Sequence, residues 1–192
     1  VHLGHAALLR RTVEEAAARG VTPAIFTFAQ PPKEVVTGIP CPLIASPEDR
    51  KGLLERLFGI KDVIMVPFDR EMMTMPWEDF ITELLVKKYH AVHLVAGHDF
   101  HFGYKNEGSP ERLAEKCREL GLGCDIIGCV EIGGETVSST RIRKLVEAGE
   151  MRDVTELLGR RYTIRGTVLH GQGIGRVRLF PTANIVPPEN SV

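Results

Sequence analysis

Nothing in the sequence points to a zinc finger, a disulfide framework, a membrane anchor or a duplex-binding face. Its four cysteines, Cys41, Cys117, Cys124 and Cys129, form no C-x-x-C pair and have no zinc-site spacing, so reduced thiols are expected. Apolar runs stop far short of a membrane span and no signal-peptide pattern opens the chain, so no membrane partner and a cytoplasmic location are expected. Neither sign of charge is in excess. The 24 Lys and Arg against 25 Asp and Glu leave a net charge of -1, without the broad basic surface that nucleic acid requires, so any phosphate binding must be local. Internal repeats and low-complexity tracts are also lacking. No methionine precedes Val1 and the chain stops abruptly at Glu189-Asn190-Ser191-Val192, so a fragment cut at both ends is expected. What is present is ordinary: 192 residues, 43% hydrophobic, enough for one full core and part of a second domain.

Apolar positions at helical spacing run from Leu3 to Arg19 and stop at Gly20, and Thr22 to Phe28 reads as a buried strand. Ser46-Pro47-Glu48-Asp49 opens a helix to about Phe58, followed by an Asp62–Val66 strand, a Trp77–Lys88 helix and an Ala91–Ala96 strand. Ser109-Pro110-Glu111 opens a helix to about Leu120, and a Cys124–Gly128 strand follows. This alternation predicts a parallel sheet with helices on both faces and ligands in the loops at the carboxyl ends of the strands. Ser138–Ala148 and Met151–Leu158 read as two short helices. The pattern changes after Gly159, where Tyr162–Leu169 alternates like a strand, so a domain boundary is placed there: 1–159 and 160–192.

Four loops carry candidate chemistry. In Val1-His2-Leu3-Gly4-His5, Gly4 admits close backbone approach and two imidazoles stand at a helix mouth, where unpaired N–H groups and a partial positive charge favour an anion. Gly97 to Gly108 follows a strand and brings Asp99 and His101 to its carboxyl end, while Phe100 and Phe102 are either core or flank a flat ligand; a zinc site from His98, Asp99 and His101 is disfavoured, since adjacent residues alternate sides. Ser138, Ser139 and Thr140 cap a helix whose first turns carry Arg141 and Arg143, cations that oppose the macrodipole and ask for a compensating anion. Leu179 to Ile185 (LFPTANI) could alone be any turn between strands.

Together, in this order and across the whole chain, the four loops resemble the bacterial bifunctional riboflavin kinase/FAD synthetases. Val1 to His5 matches the end of that family's G-x-F-D-G-V-H-x-G-H motif, Gly97 to Gly103 its G-x-D-F-x-F-G loop, Ser138 to Arg143 its S-S-T-x-x-R loop, and Phe180 to Asn184 the F-P-T-A-N of its kinase domain. Gln30-Pro31-Pro32 departs from the family's P-H-P, Leu179 replaces its usual glycine, and its first strand and F-D-G are missing.

The resemblance implies an α/β fold, a Rossmann-like parallel sheet of the HxGH nucleotidyltransferase type, followed by the beginning of a β-barrel. It implies transfer of AMP from ATP to FMN with release of pyrophosphate, with Mg²⁺ sharing the phosphate charge, and riboflavin phosphorylation in a full-length protein only. His2, His5 and Arg143 would be catalytic; Gly4, Ser138, Ser139, Thr140 and Arg143 would hold ATP; Asp99 and Phe100 would meet the flavin; Thr182 and Asn184 would serve nucleotide and metal in the kinase part, Thr182 as the metal ligand. Two other readings remain, a nucleotide- or flavin-binding module without turnover, and an HxGH adenylyltransferase with another phosphorylated acceptor.

Overall fold

The computed structural model describes residues 1–170, 183–188 and 191–192. Helix α1 (Leu3–Arg19) buries Ala6, Leu9 and Ala16 and ends where Gly20 turns left-handed at φ +65°. Strand β1 (Ala24–Phe28), α2 (Pro32–Thr37), α3 (Pro47–Phe58) and β2 (Asp62–Val66) follow. Ser46 caps α3 by accepting from the Asp49 N–H, with Pro47 in the first turn, as its sequence dictates. Where the resemblance expects P-H-P, Pro31 and Pro32 open α2 instead. After α4 (Arg70–Thr74), α5 (Trp77–Asp79) continues as a π-helical stretch, Phe80–Lys88. Then come β3 (His93–Gly97), a 3₁₀ turn (Tyr104–Asn106), α6 (Pro110–Glu119), β4 (Gly123–Ile127), a small hairpin of β5 (Glu131–Ile132) and β6 (Glu135–Thr136), α7 (Ser139–Glu147), α8 (Met151–Leu158), β7 (Thr167–Leu169) and β8 (Asn184–Val186).

The strands pair in parallel, as the alternation predicts, but they do not form one sheet. β1 pairs with β2, Ala24 opposite Asp62, and β3 pairs with β4, His93 opposite Gly123. Between the facing edges of β1 and β3 lies a largely apolar slot of about 760 Å³, roofed by α1 residues including His5, Leu8, Leu9 and Thr12. The expected Tyr162–Leu169 strand shrinks to Thr167–Leu169. Alternation alone does not make a strand without a partner edge. Here the partner is β8, antiparallel, with Leu169 opposite Asn184, and every β7 residue is exposed. The Phe180–Thr182 part of the fourth loop, with Leu179 before it, lies outside the described residues.

Three apolar clusters hold the layers. Phe80, Ile81, Leu84, Ala96, Phe102, Leu113 and Cys117 pack the π-helical stretch and α6 on β3; Val137, Ile142, Val154, Leu157 and Leu158 join α7 to α8; Leu9, Leu54 and Ile60 join α1 to α3. A polar latch fixes the direction of α1. Arg11 donates to Asp125 on β4 at 2.8 Å, and the same carboxylate holds Nε2 of His93, the first residue of β3, at 2.9 Å. With its ninth and thirteenth residues, Arg11 and Glu15, beside the start of β3, α1 runs antiparallel to that strand. Its N-terminus therefore lies over the strands' carboxyl ends.

Gly123 makes room for the latch, because a Cβ there would overlap Nδ1 of His93. Gly123→Ala is expected to lower stability by about 1–3 kcal/mol, the scale of an overpacked core. Gly128→Ala meets nothing within 4 Å and should change it by less than about 0.5 kcal/mol. Urea unfolding of the two variants, with equal losses, would count against the latch.

Candidate active site

Helix α1 is capped by an unusual residue. His2 is extended, φ -115° and ψ 175°, and its Nδ1 accepts from the His5 N–H at 3.3 Å, the part usually played by Ser, Thr, Asp or Asn. With Nδ1 accepting, the ring proton sits on Nε2, available to an anion. The two imidazoles stack at 3.8 Å with planes 21° apart. Gly4 is tightly placed: a Cβ would lie 3.1 Å from the His2 ring and 3.4 Å from the Val137 carbonyl. That contact brings the mouth of α1 to the segment leading into α7.

There Ser138 caps α7, its Oγ accepting from the Arg141 N–H at 3.2 Å, and Ser139 and Thr140 form the first turn. Two helix N-termini are thus side by side. The arginines separate in role. Arg141 pairs with Glu135 at 3.0 Å and reaches the carbonyls of Ile132 and Glu135, so the anion it asks for is supplied by the β5–β6 hairpin. Arg143 donates from Nε to the Pro42 carbonyl at 2.6 Å, and its terminal nitrogens have no partner among the described residues.

Asp99 follows β3, is exposed, and lies near enough to His2 to favour its charged form. Phe100 stacks on buried Phe102 at 5.0 Å and approaches Phe80, so it belongs partly to the core while also lining the slot. His101 turns to the Gly108 carbonyl. Among the described residues, the group spaced for a metal ion is Glu15, His93 and Asp125, in the latch and not in this loop. Asn184 begins β8, exposed and paired with Leu169, and is not brought to the histidines; Thr182 lies outside the described residues.

Sequence reasoning missed Arg50. It lies on α3 one turn before buried Leu53 and Leu54, a spacing that turns it inward, and it lines the slot with His5. Its Nη2 donates to the Phe28 carbonyl at 3.0 Å, while its buried Nε has no partner among the described residues.

Burial, then the neighbouring His5 and terminal amine, push the His2 imidazole down to about 3, against a pull upward from Asp99. Burial, then the amine and Arg50, push His5 down to about 4; it opens onto the slot, where solvent softens the effect. Both rings are neutral donors at pH 7. Since both folded values lie below the ordinary 6.5, the unfolded chain takes up protons first. This stabilisation is full above about pH 6.5 and is lost as pH falls toward 4. His2→Asn keeps a capping oxygen and removes one titration, so its stability should fall less steeply between pH 6.5 and 4.5, by up to about 1.4 kcal/mol per pH unit. Urea midpoints with the same slope in both proteins would show that His2 does not titrate as its burial requires.

Comparison with known proteins agrees with these loops. A family model described as FAD synthetase matches residues 1–141, and one described as riboflavin kinase matches residues 158–192. The bifunctional riboflavin kinase/FMN adenylyltransferases of Listeria monocytogenes and Escherichia coli K12 are each 33% identical over 187 residues, covering 96% of this chain. The chain spans 59% of the length of either relative. A solved structure described as a macrolide-efflux protein from Streptococcus pneumoniae matches with a TM-score of 0.86 and 26% identity, over all of this chain and 62% of that one. Its description names an efflux function, whereas among the described residues here no helix is long and apolar enough to cross a membrane. The match over residues 1–141, which takes in the histidine loop, the Asp99 loop and the start of α7, means that the chain belongs to the FAD synthetase family.

Proposed function

We propose that residues 1–159 transfer AMP from ATP to FMN, releasing pyrophosphate, and that residues 160–192 begin a riboflavin kinase β-barrel. The observation that carries the first part is the close approach of the α1 and α7 mouths, with neutral imidazoles between them. Adjacent helix N-termini offer several N–H donors to one polyphosphate. Neutral imidazoles add donors without binding the ground state as tightly as two full charges would. An FMN phosphate oxygen attacks the α-phosphorus in line, and positioning with charge neutralisation supplies the catalysis. His2 and His5 hold the ATP phosphates, with Gly4 letting the backbone approach. Ser138, Ser139, Thr140 and the terminal nitrogens of Arg143 grip them from the α7 side. Arg50, its Nε unsatisfied, faces the phosphates from the third side. Asp99 and Phe100 meet the flavin. Magnesium enters with ATP as the substrate complex and shares its charge.

The slot supports a further part of this reading, that a parallel strand belongs between β1 and β3. Among the described residues β1 pairs only with β2 and β3 only with β4, so the edges that face the slot have room for one more strand, and its last residues would anchor the histidine loop. Filling the slot would join β2, β1, the added strand, β3 and β4 into one sheet.

With such a strand supplied, FMN and Mg·ATP should give FAD and pyrophosphate, and slower turnover is expected from the 192 residues alone. Arg143→Ala and His5→Ala should each slow the transfer by roughly 10²- to 10³-fold, the scale of one preorganised donor. Rates like the parent's in both would remove these residues from the site, and ATP binding without pyrophosphate release would favour a binding module.

Incubated with riboflavin and Mg·ATP, the 192-residue chain is expected to form no FMN. A barrel must close to bury its core and its strand edges, and a few dozen residues cannot do that. Formation of FMN would show that the second part forms more than the β7–β8 pair.

A further inference from the structure

A second cavity, about 340 Å³, lies between α3 and the segment that follows α8. Its floor is one stripe of α3: Asp49, Gly52, Leu53 and Arg56 at i, i+3, i+4 and i+7. Its other wall carries Arg160, Thr163 and Arg165. Three arginines face one carboxylate there, a net charge of +2. Arg165 takes that carboxylate, with its Nε 2.9 Å from Asp49, so the surplus falls on Arg56 and Arg160.

Neither of these has an acidic partner among the described residues. Arg160 spends Nη1 on the Arg161 carbonyl, 3.0 Å away, while its buried Nε has no partner among the described residues. Burial and then the charge of Arg56 hold the Arg160 guanidinium below its ordinary value, as expected for two like charges kept close without an anion. Two guanidiniums lining one cavity without a carboxylate between them repel each other in the empty protein and are reconciled once an anion arrives.

Gly52 adds an independent sign. Glycine is the poorest helix former after proline, yet it stands inside α3 facing the cavity, and a Cβ there would meet nothing within 4 Å. No close packing requires it. What its bare backbone does is leave the floor open between Asp49 and Arg56.

We propose that this cavity, which adjoins the histidine loop where Gly159 packs on Leu3 but is built from other residues, is an anion site that takes the phosphate group of a small molecule between Arg56 and Arg160, with the Thr163 hydroxyl as a further donor. A phosphate fills only part of the volume, so inorganic phosphate and a phosphomonoester such as AMP share the chemistry. The site does not depend on the adenylyltransferase reading, because none of its residues belongs to that machinery.

Site-resolved NMR of the 192-residue chain, titrated with inorganic phosphate and separately with AMP, tests it. Saturable shifts are expected at the Gly52, Arg56 and Thr163 amides, and they distinguish this site from the mouths of α1 and α7. Arg56→Gln changes an exposed residue and should weaken that binding about tenfold or more, the scale of one charge-assisted hydrogen bond. Gly52→Leu fills the floor without altering charge and should weaken it as much while the helix persists. Asp49→Asn removes the one carboxylate and should tighten it. AMP binding more tightly than phosphate would identify a nucleotide as the ligand; equal affinities would identify the phosphate group alone. Shifts confined to the α1 and α7 mouths, or shifts at Gly52 that survive both Arg56→Gln and Gly52→Leu, would overturn the proposal.

Discussion

The site depends on the direction of α1, and that direction is held by a single carboxylate. Asp125 on β4 accepts from Arg11 of the helix and holds the ring of His93 at the start of β3, so three elements meet at one group. These charges are half-shielded from solvent, where an ion pair with two hydrogen bonds to one acceptor fixes geometry more than it adds stability. A helix is a rigid rod, so fastening its middle and far part at one end of β3 fixes its mouth at the other. The histidines are positioned from a distance by residues that never touch a ligand.

The second consequence is electrostatic. Two imidazoles stacked within 3.8 Å, one of them buried, cannot both carry charge at neutral pH. The mouth of α1 therefore offers polarity without a fixed cation, and the full positive charges stand further back, on Arg50 and Arg143. Such a division suits a ligand that must be held firmly by its phosphates and still release part of them.

Elements bounded by strong local chemistry were legible in the sequence. Ser46-Pro47 and Ser109-Pro110 open helices and Gly20 and Gly59 close them, because caps and left-handed turns are decided within a few residues. The parallel pairing was legible from the alternation. The failures share one cause, that they depend on residues far away in the chain. Tyr162–Gly166 alternates, yet makes no strand without a partner edge. The split into two pairs cannot be read from either pair alone. The histidine and S-S-T-R loops were found as motifs; the helix-dipole argument alone gave Arg141 and Arg143 the same reading, the resemblance singled out Arg143, and the position of Glu135 supplies Arg141 with its own anion. Arg50 carried a signal in its spacing from Leu53 and Leu54, one that becomes informative only once the β1 side of α3 is known to be lined by the slot.

The slot has one further consequence. Its lining is mostly hydrocarbon, but its two long walls are strand edges, each a row of peptide dipoles that needs hydrogen-bond partners. Hydrocarbon excludes water and peptide edges demand it, so the space between β1 and β3 is satisfied neither dry nor fully hydrated. Of the things that could occupy it, only another peptide backbone presents donors and acceptors at the repeat of both walls while turning apolar side chains to the layers above and below. A strand seated there, as proposed above, would meet both needs at once, by the same pairing that makes any exposed sheet edge adhesive.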